Sequence, residues 1–141
     1  MRGISSHHLP VLGGTRVATV LVIEDNLAFR DLLRLHLHQA GYAVQVAADP
    51  EEGLRSLIDT PPDLILLDLD LPYLNGFEVL EALRSDPASQ KIPVIIVTGS
   101  ADEEVNDRCR TIGIEGFLTK PFKAEHLIQA IAKVLPARGE T

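Results

Sequence analysis

A run of four large apolar residues, Leu64 to Leu67, leads directly into the acidic residues Asp68 and Asp70. Pro62 and Pro72 bracket this stretch, which leaves it too short for an ordinary helix. A continuous apolar run of this length is typical of a strand that is buried on both faces, as in a parallel sheet. We therefore predict that Asp68 lies at the carboxyl end of a central strand, where open α/β sheets bind their ligands.

The rest of the chain alternates between β-branched apolar runs and segments in which apolar residues recur at helical spacing. The pattern predicts strands over 17–23, 42–47, 64–67, 92–98 and 116–119. It predicts helices over about 27–40, 50–60, 77–85, 103–111 and 124–135, with Ser100 to Glu103 as a capping box before the fourth. Strict alternation implies right-handed crossovers and a doubly wound, five-stranded parallel sheet in the flavodoxin-like order 2-1-3-4-5.

Length and composition fit one α/β domain. The chain has 141 residues, and we predict a disordered tail over 1–16, a folded domain over 17–136 and a short tail over 137–141. A net charge of −7 argues against a direct nucleic-acid surface. No apolar run approaches the roughly 20 residues that span a bilayer. The only cysteine, Cys109, suits a reducing compartment, so we expect a cytoplasmic protein without membrane contact.

Polar residues follow four of the five predicted strands, and the carboxyl ends of parallel strands share one edge of the sheet. Taken alone, each of these residues has an ordinary explanation as a helix cap or a turn residue. Together at one edge they are hard to explain in that way, because burying so many charges is costly. The residues that we expect to converge there are Glu24, Asp25, Asp68, Asp70, Thr98 and Lys120.

This set of groups suits phosphoryl transfer. Clustered carboxylates raise one another's pKa, and a divalent cation relieves that repulsion. Oxygen ligands with retained waters suit Mg²⁺. Lys120 and a bound metal would neutralise the oxygens of a phosphoryl group, and Thr98 would donate a hydrogen bond to it. Asp68 is then the candidate nucleophile, and the product would be an aspartyl phosphate.

The chain resembles the receiver domain of two-component response regulators, of the chemotaxis single-domain type, over residues 17–136. The motifs that carry the resemblance are Glu24-Asp25, then Leu66-Leu67-Asp68 with Leu71-Pro72 and Gly76, then Ile96-Val97-Thr98-Gly99, and finally the segment from Gly116 through Lys120-Pro121-Phe122. The resemblance implies that Asp68 is the phosphoacceptor of a signalling switch. It also implies that the protein is not an enzyme in the usual sense, since it catalyses only its own phosphorylation and dephosphorylation.

The resemblance also implies roles for the other site residues. Mg²⁺ would be bound by Asp25, by Asp68 and by the backbone carbonyl of Asp70, with Glu24 acting mainly through water. Lys120 would pair with the acceptor carboxylate and then with the phosphoryl group, and its peptide bond to Pro121 is expected to be cis. Thr98 and Phe117 would be the switch residues.

Three positions depart from the commonest pattern of the family, and one of them, Asn75 in place of the commoner Asp, is expected to have little effect. Asp70 carries an acid near the path of a hydrolytic water, so it is a candidate control on the lifetime of the phosphate. Phe117 lacks the hydroxyl of the tyrosine that is often found at this position, and a plain core role for it remains open.

The expected phosphodonor is a histidine kinase or a phosphotransfer protein of a phosphorelay. The expected target is a downstream output protein that contacts the fourth helix, the fifth strand and the fifth helix. A phosphorylation-dependent dimer is a further possibility.

Three alternatives remain at this point. Asp68-Leu69-Asp70 has the Asp-x-Asp form of haloacid-dehalogenase-type phosphatases, although Pro72 and the early position of Glu24-Asp25 oppose that interpretation. The chain is also short for the cap and core of such an enzyme. A second alternative is a receiver segment of a hybrid kinase or a larger regulator. A third is a pseudo-receiver that takes no phosphate, although all of the expected site residues are present.

Overall fold

The computed structural model describes residues 11–12, 15–70, 75–100 and 102–135. Among these residues, the strands of the main sheet are β1 (Thr19–Ile23), β2 (Ala43–Ala47), β3 (Leu64–Asp68), β4 (Val94–Thr98) and β5 (Gly116–Thr119). They form one parallel sheet in the order β2-β1-β3-β4-β5, as the alternation predicted.

The three central strands, β1, β3 and β4, are buried along their whole length, which explains their unbroken apolar sequences. Their register aligns the strand ends that matter for function. Ile23 pairs with Leu67, Asp68 pairs with Val97, and Thr98 pairs with Thr119. The residues that follow β1, β3, β4 and β5 therefore emerge side by side at one edge.

Three strands begin later than the sequence predicted, and β2 does so by a single residue, at Ala43. β1 begins at Thr19, whose backbone N–H donates to the Asp63 carboxylate at 2.7 Å. β4 begins at Val94, because Pro93 has no N–H for a strand ladder and Ile92 donates instead to the Ser89 carbonyl in a turn.

In the described ranges, five helices connect or follow the strands, and side-chain caps explain where most of them begin. The helices are α1 (Leu27–Gln39), α2 (Pro50–Asp59), α3 (Gly76–Ser85), α4 (Glu103–Ile112) and α5 (Ala124–Val134). Asn26, Asp49 and Asn75 each accept a backbone N–H of the first turn of α1, α2 and α3. The cap of α4 is Asp102, which accepts from Val105, so the capping box predicted from Ser100 is wrong.

The helices cover both faces of the sheet and create two apolar cores. On one face α2, α3 and α4 pack against residues such as Ile65, Leu67 and Ile96, and Cys109 is buried in this core. On the other face α1 and α5 pack against residues such as Val22 and Leu66. The two cores hold the central strands rigidly on both sides, so the edge at their carboxyl ends has a fixed geometry.

Gly76 permits a close approach at the start of α3. A Cβ atom at this position would lie 2.5 Å from Cδ1 of Leu69 and 3.0 Å from its carbonyl oxygen. Leu69 follows Asp68 directly, so the glycine lets α3 pack against the turn that carries the site.

Part of the predicted N-terminal tail lies among the described residues. Val11–Leu12 and Thr15–Arg16 form a two-stranded antiparallel pair within the segment that we predicted to be disordered. Two glycines separate these strands in sequence, which is a common signal for a hairpin. Residues 1–10, the Leu71-Pro72 motif, Pro136 and the predicted tail over 137–141 lie outside the described residues. In the described part of the chain, no helix is long and apolar enough to cross a membrane.

Candidate functional site

The carboxyl edge of the sheet brings the predicted polar residues together. Glu24 and Asp25 follow β1, Asp68 is the last residue of β3, Thr98 is the last residue of β4, and Lys120 follows β5. Glu24, Asp68 and Thr98 are buried, although each is polar or charged. Buried polar groups normally need partners, so the contacts among these side chains define the site.

Lys120 is the cationic centre of this edge. Its Nζ donates a hydrogen bond to Oδ2 of Asp68 at 3.2 Å. The same Nζ lies 3.8 Å from Oε1 of Glu24 and 3.8 Å from Oδ2 of Asp70. One ammonium group therefore faces three carboxylates, and it cannot neutralise all of them.

Three carboxylates form a cluster that suits a metal ion. Glu24, Asp25 and Asp68 each offer one oxygen, and these oxygens lie within 4.8 Å of one another. Oε1 of Glu24 is buried and has no hydrogen-bond partner among the described residues. A buried acceptor without a donor, beside two further carboxylates, is the arrangement that a hard divalent cation with oxygen ligands completes.

The predicted role of Asp70 in metal binding concerned its backbone carbonyl, and that role stays a prediction. Its side chain is not part of the three-carboxylate cluster of the described residues. Instead, Oδ1 of Asp70 accepts a hydrogen bond from the Thr98 hydroxyl at 2.8 Å, and Oδ2 accepts one from the Gly99 N–H at 2.6 Å. Sequence reasoning did not anticipate this bridge, because only the paired register of β3 and β4 brings the two loops together.

The surroundings of the Glu24 carboxyl disfavour its ionised form. Burial, and then the neighbouring Asp68 carboxylate, raise the pKa of Glu24 from its ordinary 4.5 to about 8. The backbone N–H of Asn26, which donates to Oε2 of Glu24 at 3.0 Å, and the charge of Lys120 oppose this shift only in part. Without a bound cation, the site therefore destabilises the fold when Glu24 is ionised.

The raised pKa of Glu24 predicts that Glu24→Gln increases the free energy of unfolding in the absence of metal, by an amount that depends on pH. Because the folded-state pKa is raised, the stability from Glu24 is fully present below pH 4.5 and is lost as the pH rises through 8. The neutral glutamine avoids that loss. At pH 8 we expect the variant to be more stable than the wild type by about 1–2 kcal/mol, with the difference closing toward pH 4.5.

The measurement is urea unfolding in EDTA between pH 4.5 and 8.5. Glu51→Gln is the control, because Glu51 is an exposed acid at the start of α2. Equal stability of the Glu24→Gln variant and the wild type at pH 8 would contradict the raised pKa.

An aromatic pair beside Lys120 was also missed by the sequence analysis. Nζ of Lys120 lies 4.8 Å from the centroid of the Phe29 ring, and Phe122 packs edge-on against Phe29 with centroids 5.9 Å apart. The only signal in the sequence was Phe122 directly after Lys120-Pro121, since Phe29 belongs to the distant α1. The face of the Phe29 ring attracts the lysine ammonium group, and Phe122 packs against that ring in an edge-on arrangement.

Two further predicted features, the Lys120–Pro121 peptide bond and the Phe117 side chain, lie in or next to β5. The Lys120–Pro121 peptide bond is cis, as predicted. Phe117 lies in β5 opposite Ile96, is half-buried, and packs against the core under α3 and α4. That position is compatible with either of the roles that the sequence left open for it.

Comparisons with known proteins agree with this geometry. The family model of the response regulator receiver domain matches residues 20–132. The chain is 36% identical over 118 residues to the DNA-binding dual master transcriptional regulator RpaA of Synechocystis. The aligned segment covers 82% of this chain and 48% of that protein. The chain thus spans about half the length of the first curated relatives that it matches.

Solved structures show the same architecture. Chemotaxis protein CheY4 of Vibrio cholerae superposes with a TM-score of 0.80 at 31% identity, over 84% of this chain and 99% of that one. The receiver domain of sensor histidine kinase PA1611 from Pseudomonas aeruginosa superposes with a TM-score of 0.75 at 28% identity, over 83% of this chain and 96% of that one. That structure has a magnesium ion coordinated in its active site cleft.

Proposed function

Because this chain belongs to the response regulator receiver family and is a phosphorylation-activated switch of two-component signalling, we propose that Asp68 is the residue that accepts the phosphoryl group. The observation that carries this proposal is the contact of Asp68 Oδ2 with Lys120 Nζ at 3.2 Å, at the buried end of a central strand. Among the described residues, Asp68 is both a member of the three-carboxylate cluster and a hydrogen-bond partner of Lys120.

In the proposed reaction, an Asp68 carboxylate oxygen forms a bond to phosphorus while the bond from phosphorus to the donor breaks. The electron pair of the broken bond leaves with the donor. Lys120 offsets the negative charge that collects on the transferred oxygens. The backbone N–H of Asp70, which donates to Oδ1 of Asp68 at 2.8 Å, keeps the carboxylate oriented. Lys120 and the Asp70 N–H thus hold the nucleophile from two sides.

We propose Mg²⁺ as the cation of the acidic cluster. Asp25, Asp68 and the Asp70 carbonyl would bind it directly, and Glu24 would act mainly through water. The support is threefold: the clustered oxygens, the lack of a partner for Oε1 of Glu24 among the residues that the structure describes, and the magnesium ion in the related PA1611 receiver. When bound, the ion would lower the repulsion between the carboxylates and the incoming phosphoryl group.

Thr98 and Phe117 are the proposed switch residues. Thr98 is buried at the end of β4, and Phe117 lies in the neighbouring β5, next to α4. A phosphoryl group on Asp68 would draw the Thr98 hydroxyl toward it and so shift the balance between two packings of this side of the domain. The surface of α4, β5 and α5 is the proposed output face.

The proposed partners are a histidine kinase or a phosphotransfer protein as donor, and an output protein as target. Phosphorylation-dependent dimer formation through the output face belongs to the same proposal. The chain would act only on its own phosphate, so it would not be an enzyme with a separate substrate. A cytoplasmic location is proposed because the one cysteine is unpaired and suits a reducing compartment.

The test is incubation of the purified chain with acetyl phosphate in Mg²⁺ or in EDTA, followed by intact-mass measurement. We expect one added phosphoryl group in Mg²⁺ and none in EDTA. Borohydride reduction converts an aspartyl phosphate into homoserine, and peptide mass analysis should locate that change at position 68. Turnover of a generic phosphate ester at catalytic rates would instead favour the phosphatase alternative. No labelling in Mg²⁺ would contradict the proposed function.

A further inference from the structure

The Asp70 side chain fastens two loops of the site together. Through its two oxygens it accepts from the Thr98 hydroxyl at 2.8 Å and from the Gly99 N–H at 2.6 Å. Asp70 belongs to the turn after β3, whereas Thr98 and Gly99 end β4 and lead toward α4. We call this three-residue contact the Asp70 latch.

The latch occupies the only proton that the Thr98 hydroxyl can donate. A threonine hydroxyl has one donor and two acceptor positions. Its proton is directed to Asp70, and its oxygen accepts the Ser100 N–H at 3.1 Å. A phosphoryl group on Asp68 therefore has to compete with Asp70 for this proton.

We infer that Asp70 is a positioning residue that holds Thr98 and the start of the β4–α4 loop in the resting arrangement, and that the latch must open when Asp68 carries a phosphoryl group. This inference rests on the proposed function of Asp68. Asp70 would then control how readily phosphorylation of Asp68 releases Thr98 from its resting position, in addition to the predicted effect on the lifetime of the phosphate.

The contacts of the latch favour this role over simple charge repulsion. Hydrogen bonds to a charged acceptor are roughly twice as strong as neutral ones, so a carboxylate is an effective competitor for the hydroxyl. The charge of Asp70 is already partly balanced by Lys120 Nζ at 3.8 Å. The hydrogen bonds to Thr98 and Gly99 are therefore the feature that a variant should test.

The first experiment examines the latch in the chain without any phosphoryl group. In the wild type we expect a single Thr98 χ1 rotamer by NMR couplings and slow hydrogen exchange of the Gly99 amide. In Asp70→Ala we expect averaged Thr98 couplings and Gly99 exchange that is at least about tenfold faster. The Val97 amide, inside β4, is the internal reference for global stability. Averaged Thr98 couplings already in the wild type would overturn the latch.

The second experiment is a double-mutant cycle in the affinity for beryllofluoride with Mg²⁺, a stable analogue of the phosphoryl group. Asp70→Ala should tighten binding by about tenfold in the wild-type background, because the Thr98 proton becomes available. In the Thr98→Val background the same change should have less than about a twofold effect, since no hydroxyl remains to be released. In the Thr98→Ser background, which keeps the hydroxyl, the gain should return.

The matched control is Glu103→Gln, which removes one exposed negative charge at the start of α4 without touching Thr98. It should leave the affinity unchanged. An equal gain from Asp70→Ala with and without the Thr98 hydroxyl would mean that repulsion alone acts, and would overturn the inference. The two hypotheses fail differently: a wild-type chain that does not bind the analogue contradicts the proposed function, and a wild type that binds equally well as Asp70→Ala contradicts only the latch.

Discussion

Asp68→Asn is expected to abolish Mg²⁺-dependent phosphorylation by acetyl phosphate. An amide has no anionic oxygen to attack phosphorus, so the nucleophile is lost while the size of the side chain is kept. The amide also removes one of the three carboxylates of the acidic cluster and weakens the pairing with Lys120 at 3.2 Å. The measurement is the intact mass of the variant after incubation beside the wild type, with no phosphoryl group gained.

The control for this prediction is Asp59→Asn, an equal change at the exposed end of α2. That variant should gain the phosphoryl group at the wild-type rate. If Asp68→Asn still gains one phosphoryl group, the acceptor is another carboxylate of the edge, and the assignment of Asp68 is wrong.

The second prediction concerns stability and the clamp formed by Arg84. Nε of Arg84 donates to the Gly113 carbonyl at 2.9 Å. Nη1 donates to the carbonyls of Gln90 at 3.1 Å and Ile92 at 2.7 Å. Nη2 donates to Oε1 of Glu115 at 2.7 Å. This single side chain ties the end of α3 to the loop before β4 and to the turn after α4.

Arg84→Ala should therefore be strongly destabilising. The Arg84 side chain is 15% exposed, and its loss leaves several acceptors without a donor. Oε1 of Glu115 also accepts the backbone N–H of Val94 at 2.8 Å, so the start of β4 is loosened too. We expect a loss of about 2–4 kcal/mol and a Tm lower by roughly 10 °C. Urea unfolding and calorimetry measure both quantities.

Two further variants separate the clamp from general effects of charge. Arg84→Lys keeps the charge but cannot reach all of the acceptors at once, so it should lose most of the stability that alanine loses. Arg55→Ala removes an exposed pair with Glu51 at 3.9 Å and should change the stability by less than about 0.5 kcal/mol. A small effect of Arg84→Ala, similar to that of Arg55→Ala, would contradict the role of the clamp.

The Arg84 clamp was not predictable from the sequence. Its acceptors are mostly backbone carbonyls, which every residue carries, and they come from segments up to 31 positions away. The same limit explains why the sequence predicted Ser100 as the cap of α4, whereas the cap in the structure is Asp102. Both residues are good caps, and the hydrogen bond of Ser100 N–H to Thr98 Oγ1 draws Ser100 into the preceding turn instead.

What the sequence determined by itself was the order of elements and the content of the site. Alternating apolar periods specify five strands and five helices, and a parallel sheet puts all carboxyl ends at one edge. Glu24, Asp25, Asp68, Thr98 and Lys120 could thus be assigned to one crevice from their positions after the strands. The buried run from Leu64 to Leu67, which bears Asp68 at its end, organised that prediction.

What only the tertiary structure decided was which of these groups touch. The register of β3 against β4 brings the Asp70 side chain to Thr98 and Gly99, rather than into the carboxylate cluster. The packing of α1 brings Phe29 to Lys120. Burial, which no local sequence pattern reports, raises the pKa of Glu24 to about 8, and Oε1 of Glu24 has no hydrogen-bond partner in the described part of the chain. Side-chain contacts depend on distances of a few tenths of an ångström between segments far apart in sequence, and only the assembled core sets those distances.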